Sequence, residues 1–175
     1  MALVDPSSTA AVNSAAAAKP PLYRELRRQF AALMASERNA LANAANLSAL
    51  LYWSLPDVNW AGFYFLEQGE LVLGPFQGKV ACVRIAMGRG VCGGAALRRQ
   101  TLIVADVHEF PGHIACDAAS QSEIVVPLLQ GGRLWGVLDL DSPKLARFDA
   151  ADAEGLEGCA ADFMAASDLA TYFRA

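Results

Sequence analysis

Apolar positions set the outline of this chain. Leu22, Leu26, Phe30, Leu33 and Met34 recur at three- and four-residue spacing, and Leu41, Leu47, Leu50 and Leu51 continue the pattern. This predicts helix over 22–55, with Ser36 placed to cap a second segment and Pro56 ending the run. From residue 58 the pattern changes. Trp60-Ala61-Gly62-Phe63-Tyr64-Phe65-Leu66 is aromatic and suits a strand, residues 67–70 a turn, and 71–74 a returning strand. Residues 80–85 read as extended, 91–99 as a short helix opened by glycines, and 101–104 as a strand. Residues 105–120 form a long loop holding Pro111, Gly112 and both histidines, a length that points to function or disorder. Two apolar runs, 124–129 and 134–140, flank Gly131-Gly132 as a hairpin. Asp149 is placed to cap a last helix, with Asp152 and Glu154 at its positive end.

Successive hairpins imply an α+β fold with a central antiparallel sheet. The N- and C-terminal helices would pack on one face, leaving a ligand pocket under the loops on the other. Residues 1–21, rich in Ala, Ser and Pro, are expected to be a disordered leader. Residues 22–175 are expected to form one domain, a length sufficient for a single core.

Composition narrows the function. The chain is 54% hydrophobic and 18% charged, which is globular. A net charge of −4 without a basic run argues against nucleic acid as a partner. No apolar stretch is long enough to span a membrane, so no membrane partner is expected. The N-terminus lacks the basic start of a secretory signal. The expected location is therefore the reducing cytoplasm, where the four cysteines are free, metal-bound or catalytic.

No Cys-x-x-Cys pair exists. Cys159 lies within the apolar pattern of the last helix and reads as a small buried hydrophobe. Cys82, Cys92 and Cys116 sit in loops or at loop ends beside Gly and Ala, where a thiol can meet a ligand and another thiol. Zinc held by Cys82, Cys92, Cys116 and either His108 or His113 is the weaker alternative, because structural zinc sites usually contain a close ligand pair in sequence. Asp139 and Asp141 alternate with Leu138 and Leu140 and point to one side of a strand, and Glu123 begins its neighbour. Three gathered carboxylates repel, so one keeps its proton or meets a cation such as a substrate ammonium. A retained proton can be donated to a polar oxygen. Trp60 and Tyr64, four apart, share a strand face and can pack in the core or wall a pocket for a methyl or thioether group. Trp53 and Trp135 are expected in the core.

Several motifs in order carry a resemblance. They include Asn59-Trp60-Ala61-Gly62-Phe63-Tyr64, Ala81-Cys82-Val83-Arg84-Ile85, Gly88-Arg89-Gly90-Val91-Cys92-Gly93, Gly112-His113-Ile114-Ala115-Cys116-Asp117, Ser122-Glu123-Ile124-Val125 and Leu138-Asp139-Leu140-Asp141-Ser142. Over about residues 22–173 the chain resembles the free methionine-(R)-sulfoxide reductases, which are GAF-domain enzymes. Ala86 and Gly94 depart from the pattern, standing where Pro and a polar residue are expected. The resemblance implies that Cys116 attacks the sulfur of free L-methionine-(R)-sulfoxide and that Cys82 resolves the resulting sulfenic acid, with Cys92 as an alternate. Thioredoxin would reduce the disulfide, and no metal or organic cofactor is expected. Glu123, Asp139 and Asp141 would hold the ammonium group and polarise the sulfoxide, while Trp60 and Tyr64 would wall the methyl end. A homodimer is expected by analogy with other GAF domains. The competing readings are a non-catalytic GAF module that binds a small ligand, perhaps as a sensor, and a zinc-stabilised domain.

Overall fold

A computed structural model of the protein describes residues 6–112 and 118–171, with side chains from residue 18 onward. Ten helices and strands follow in order: α1 (Pro6–Leu33), α2 (Ala40–Ser54), β1 (Trp60–Glu67), β2 (Glu70–Gly78), β3 (Arg84–Ala86), α3 (Gly90–Arg98), β4 (Leu102–Val104), β5 (Ser122–Gln130), β6 (Arg133–Ser142) and α4 (Ala150–Ala166). The strands make one six-stranded sheet in the order β3-β2-β1-β6-β5-β4, every neighbouring pair antiparallel.

Period-two alternation gives each central strand two jobs. Along β1, Ala61, Phe63 and Phe65 face the core shared with α1, α2 and α4. Along β6, Leu138 and Leu140 do the same, as do Ile124, Val126 and Leu128 on β5. The opposite positions, Trp60, Tyr64, Val125 and Val137, pack into a second cluster with α3. Three helices thus cover one face, and α3 with its flanking loops covers the other. No helix among the described residues is long and apolar enough to cross a membrane.

Four details differ from the sequence reading. Asn39, not Ser36, caps α2, its side chain accepting from Leu41 N and Ala42 N. Trp53 lies outside the core and is 80% exposed, while Trp135 is buried as expected. The long loop contains a 3-10 turn, Val107–Glu109, started by Asp106, whose side chain accepts from His108 N. Finally, α1 begins at Pro6, within the stretch read as a leader. Lys19 of that stretch pairs with Asp149 and Asp152 of α4. Asp152 is fully buried and accepts further hydrogen bonds from Tyr23 and Arg147. A carboxyl group inside a core needs such partners, and here they fasten α1 to the start of α4. Asp149 caps α4 in a reciprocal capping box with Asp152, as the sequence suggested.

Candidate active site

The cleft lies on the α3 face, where β1, β5 and β6 run side by side. Register decides its floor. Asp141 of β6 stands opposite Trp60 of β1 and Glu123 of β5. Two residues along, Asp139 stands opposite Gly62 and Val125. Because Leu138 and Leu140 are committed to the helical core, Asp139 and Asp141 must face the other way. Glu123, Asp139 and Asp141 therefore line one cleft with Trp60, Tyr64 and Cys92. Gly62 makes room for it: a Cβ there would stand 2.3 Å from the Phe76 Cβ and 2.7 Å from the Trp60 ring.

The aromatic wall is built from stacked rings. Trp60 lies 5.3 Å from Phe76 and 6.0 Å from Tyr64, centroid to centroid, both pairs stacked. Each polar tip has a fixed partner. Trp60 Nε1 donates to the Lys79 carbonyl at 3.1 Å, and the Tyr64 hydroxyl donates to the Cys82 carbonyl at 3.0 Å. The two rings that wall the cleft thereby hold the segment that carries Cys82.

Electrostatics on the floor follow from burial. Glu123 and Asp139 are almost wholly removed from solvent. Burial, then the charges of Asp139 and Asp141, push the Glu123 carboxyl well above the usual carboxylate range. Burial also raises Asp139, to about 7, against the lowering effect of hydrogen bonds from Cys92 and Glu123. At neutral pH the pair holds a proton, and Glu123 is the member that keeps it more strongly. The Cys92 thiol donates toward Glu123 Oε1 at 3.9 Å. Burial first, and then Asp139 and Glu123, push that thiol well up, so Cys92 is a thiol and not a thiolate.

The sequence-predicted residues divide into three groups. Trp60, Tyr64, Cys92, Glu123, Asp139 and Asp141 are brought together. Cys82 is half-buried one residue beyond Val80 and Ala81, which line the cleft, and it packs against the same apolar cluster as Cys92. Cys116 and His113 lie outside the described residues. Cys159 is buried in the helical core, its thiol pushed up to about 12 chiefly by burial, in keeping with a purely structural role.

The chain is similar to proteins of known family. The GAF domain family matches residues 24–166. The chain is 54% identical to the free methionine-R-sulfoxide reductase of Escherichia coli over 158 residues, covering 89% of this chain and 96% of that protein. This protein belongs to the free methionine-R-sulfoxide reductase family of GAF domains. The Saccharomyces cerevisiae free methionine-R-sulfoxide reductase is 46% identical over 147 residues, 79% of this chain and 82% of its own. The solved structure of the Neisseria meningitidis free methionine-R-sulfoxide reductase in complex with its substrate superposes with a TM-score of 0.82 at 47% identity, covering 85% of this chain and 89% of that one. The GAF fold and its α+β layering are thus those of the reductase family.

Three features of the cleft escaped the sequence reading. Arg89 and Ser120 also line it. Gly90 and Val91 at the start of α3 line it too, next to Cys92, and Arg89 supplies no side-chain cap to that helix. A signal was present: Gly88-Arg89-Gly90 before a short helix is the kind of start whose exposed backbone N–H groups receive an anion. Gly93 lets this start lie close against the preceding turn, since a Cβ there would stand 2.4 Å from the Ala86 carbonyl oxygen.

Proposed function

We propose that the protein reduces free L-methionine-(R)-sulfoxide to L-methionine. The observation that carries this reading is the joining, in one cleft, of a buried carboxyl pair, a thiol and an aromatic wall. Each part answers one part of the substrate. The Asp139–Asp141 edge favours the ammonium group. The uncapped start of α3 and Arg89 favour the carboxylate. Trp60 and Tyr64 offer apolar surface to the methyl end. A methionine within a peptide has neither free ammonium nor free carboxylate, which supports restriction to the free amino acid. The names of the relatives supply the epimer.

In the proposed chemistry the Cys116 thiolate attacks the sulfoxide sulfur. The sulfur–oxygen bond breaks, and a proton from the Glu123–Asp139 pair goes to the departing oxygen. The sulfur–sulfur bond formed by the attack breaks as the hydroxyl passes from the substrate sulfur to the Cys116 sulfur, so methionine leaves as the thioether and Cys116 holds the oxygen as a sulfenic acid. The Cys82 thiol then condenses with it, expelling water and forming a disulfide, with Cys92 as the alternate partner. A thioredoxin dithiol takes over that disulfide and restores both thiols. The support for Cys116 as attacker is partly by elimination: Cys92 is held as a thiol and Cys159 is buried in the helical core. Chain length adds to this. Cys116 is four residues from Ser120, a cleft residue, and four residues reach at most about 14 Å. Thiols of this kind suit a reducing compartment, the cytoplasm.

Single-turnover chemistry separates the roles. Reduced Cys116→Ser should release no methionine. Reduced Cys82→Ser should release one methionine per chain, with thioredoxin-driven cycling falling by an order of magnitude or more. Equal thioredoxin-driven cycling by the wild type and either variant would contradict the assignment.

A further inference from the structure

The floor of the cleft has a second chemical character. One sulfur of Cys92, one oxygen of Glu123 and one oxygen of Asp139 lie within 4.8 Å of one another, all three residues being buried. This set shares only Cys92 with the zinc ligands considered from sequence. Asp139 is 6% exposed, and its Oδ1 accepts no hydrogen bond among the described residues. A buried carboxylate oxygen left without a donor is costly, and once the carboxyl pair gives up its proton a cation can supply the missing partner.

One soft sulfur and two hard oxygens are donors suited to a borderline ion such as Zn2+. Zinc bonds of about 2.3 Å to sulfur and about 2.0 Å to oxygen at a tetrahedral angle place sulfur and oxygen about 3.5 Å apart. The present Cys92–Glu123 separation is 3.9 Å and the three donor atoms lie within 4.8 Å of one another, so the side chains must draw together to close on an ion. Three protein ligands leave a fourth position for water, as in open zinc sites. Arg89, on the cleft wall, opposes a cation there, and Asp141 offsets it.

We propose that Cys92, Glu123 and Asp139 form a binding site for a thiophilic divalent cation of the Zn2+ class, which occupies the cleft of the reduced protein. Binding displaces the Cys92 thiol proton and the proton held between the two carboxyls to solvent, with no change of oxidation state. A Cys92 engaged in a disulfide has no thiolate to offer, so the site is lost when Cys92 acts as the alternate resolving thiol and is kept when Cys82 does. The cation site stands on the cluster itself. Its consequence, exclusion of substrate and inhibition, rests on the reductase reading, because the ion would sit where the ammonium group is proposed to sit.

The test is an anaerobic titration of the reduced full chain with Co2+, followed by its near-ultraviolet cobalt–thiolate charge-transfer band, and then with Zn2+ in competition. The expected result is one cobalt per chain, displaced by Zn2+ and by free methionine-(R)-sulfoxide. Cys92→Ser should abolish the band and weaken Zn2+ binding on the order of a hundredfold or more, and Asp139→Asn should weaken it about tenfold or more. Circular dichroism of both variants shows whether the fold survives. Cys82→Ser and Cys116→Ser should keep the band. No band in the wild type, a band that survives in folded Cys92→Ser, or a band lost in Cys82→Ser or Cys116→Ser would overturn the site. A Cys92-dependent band in a protein that turns over no sulfoxide would uphold the site and overturn the reductase reading alone.

Discussion

The three cysteines among the described residues, Cys82, Cys92 and Cys159, meet different surroundings, and each surrounding sets a different chemistry. Cys159 is packed between apolar residues of the helical core, and its thiol is pushed up to about 12, mainly by burial. Replacing it with Ser puts a hydroxyl where water is excluded, at a cost of about 1–3 kcal/mol. Thermal or denaturant unfolding of Cys159→Ser should show that loss, with activity per folded molecule unchanged. A severe drop in the specific activity of the folded fraction would place this thiol in the chemistry. Cys92 is as deeply buried but lies on acids, which makes it a donor of a hydrogen bond to Glu123 and a poor nucleophile. The shared facing of Asp139 and Asp141 was legible from alternation, because a strand that commits its leucines to one side has no choice about its acids. Arg89 was not legible, because a lone arginine in a glycine turn has no periodicity to betray its direction.

At the level of elements, α3 is the part on which the cleft depends most directly. Its start must approach the turn before it, and Gly93 permits this: a Cβ would lie 2.4 Å from the Ala86 carbonyl oxygen. Gly94, one residue on, is different. A Cβ there would meet Leu102 Cδ1 at 3.5 Å, an ordinary contact. Gly94→Ala should therefore stabilise the protein by about 0.5–1 kcal/mol through helix propensity, and Gly93→Ala should destabilise it. Unfolding curves of the two variants check this, and a stabilising Gly93→Ala would contradict the packing described. Strands and hairpins were read closely from sequence, since alternation and glycine turns are local signals. Helix starts were read less well. Ser36 and Asn39 are both good capping residues, and only the tertiary placement of α2 decides that Asn39 accepts from its first turn. Trp53 misled for a related reason: the α2 face that meets the sheet is set by Leu47 and Leu51, leaving the tryptophan outside.

Over the whole molecule, a stable body carries a cleft that opposes its stability. Asp139 keeps its proton up to about 7 in the fold, mainly because it is buried, whereas an unfolded Asp loses it near about 3.9. Between those values the folded state binds more protons than the unfolded one. Stability from this group is therefore present at low pH and is lost as pH rises through about 7. Glu123 is shifted in the same direction. Asp139→Asn should flatten the dependence of unfolding free energy on pH between about 4 and 7, measured by denaturant titrations of both proteins without ligand. A wild-type slope equal to that of the variant would show that the carboxyl is not held protonated. Layer order and face assignment at this scale followed from the hairpins and terminal helices. The extent of α1 did not, because its tie to α4 through Lys19 and Asp152 joins residues far apart in sequence. The central claim is that this acid-floored, aromatic-walled cleft serves one free sulfoxide epimer. Incubation of the reduced protein and dithiothreitol with free methionine-(R)-sulfoxide, free methionine-(S)-sulfoxide and a peptide containing the R epimer tests it most directly. Methionine should form from the free R epimer alone. Absence of turnover with that compound, or equal turnover of all three, would contradict the account.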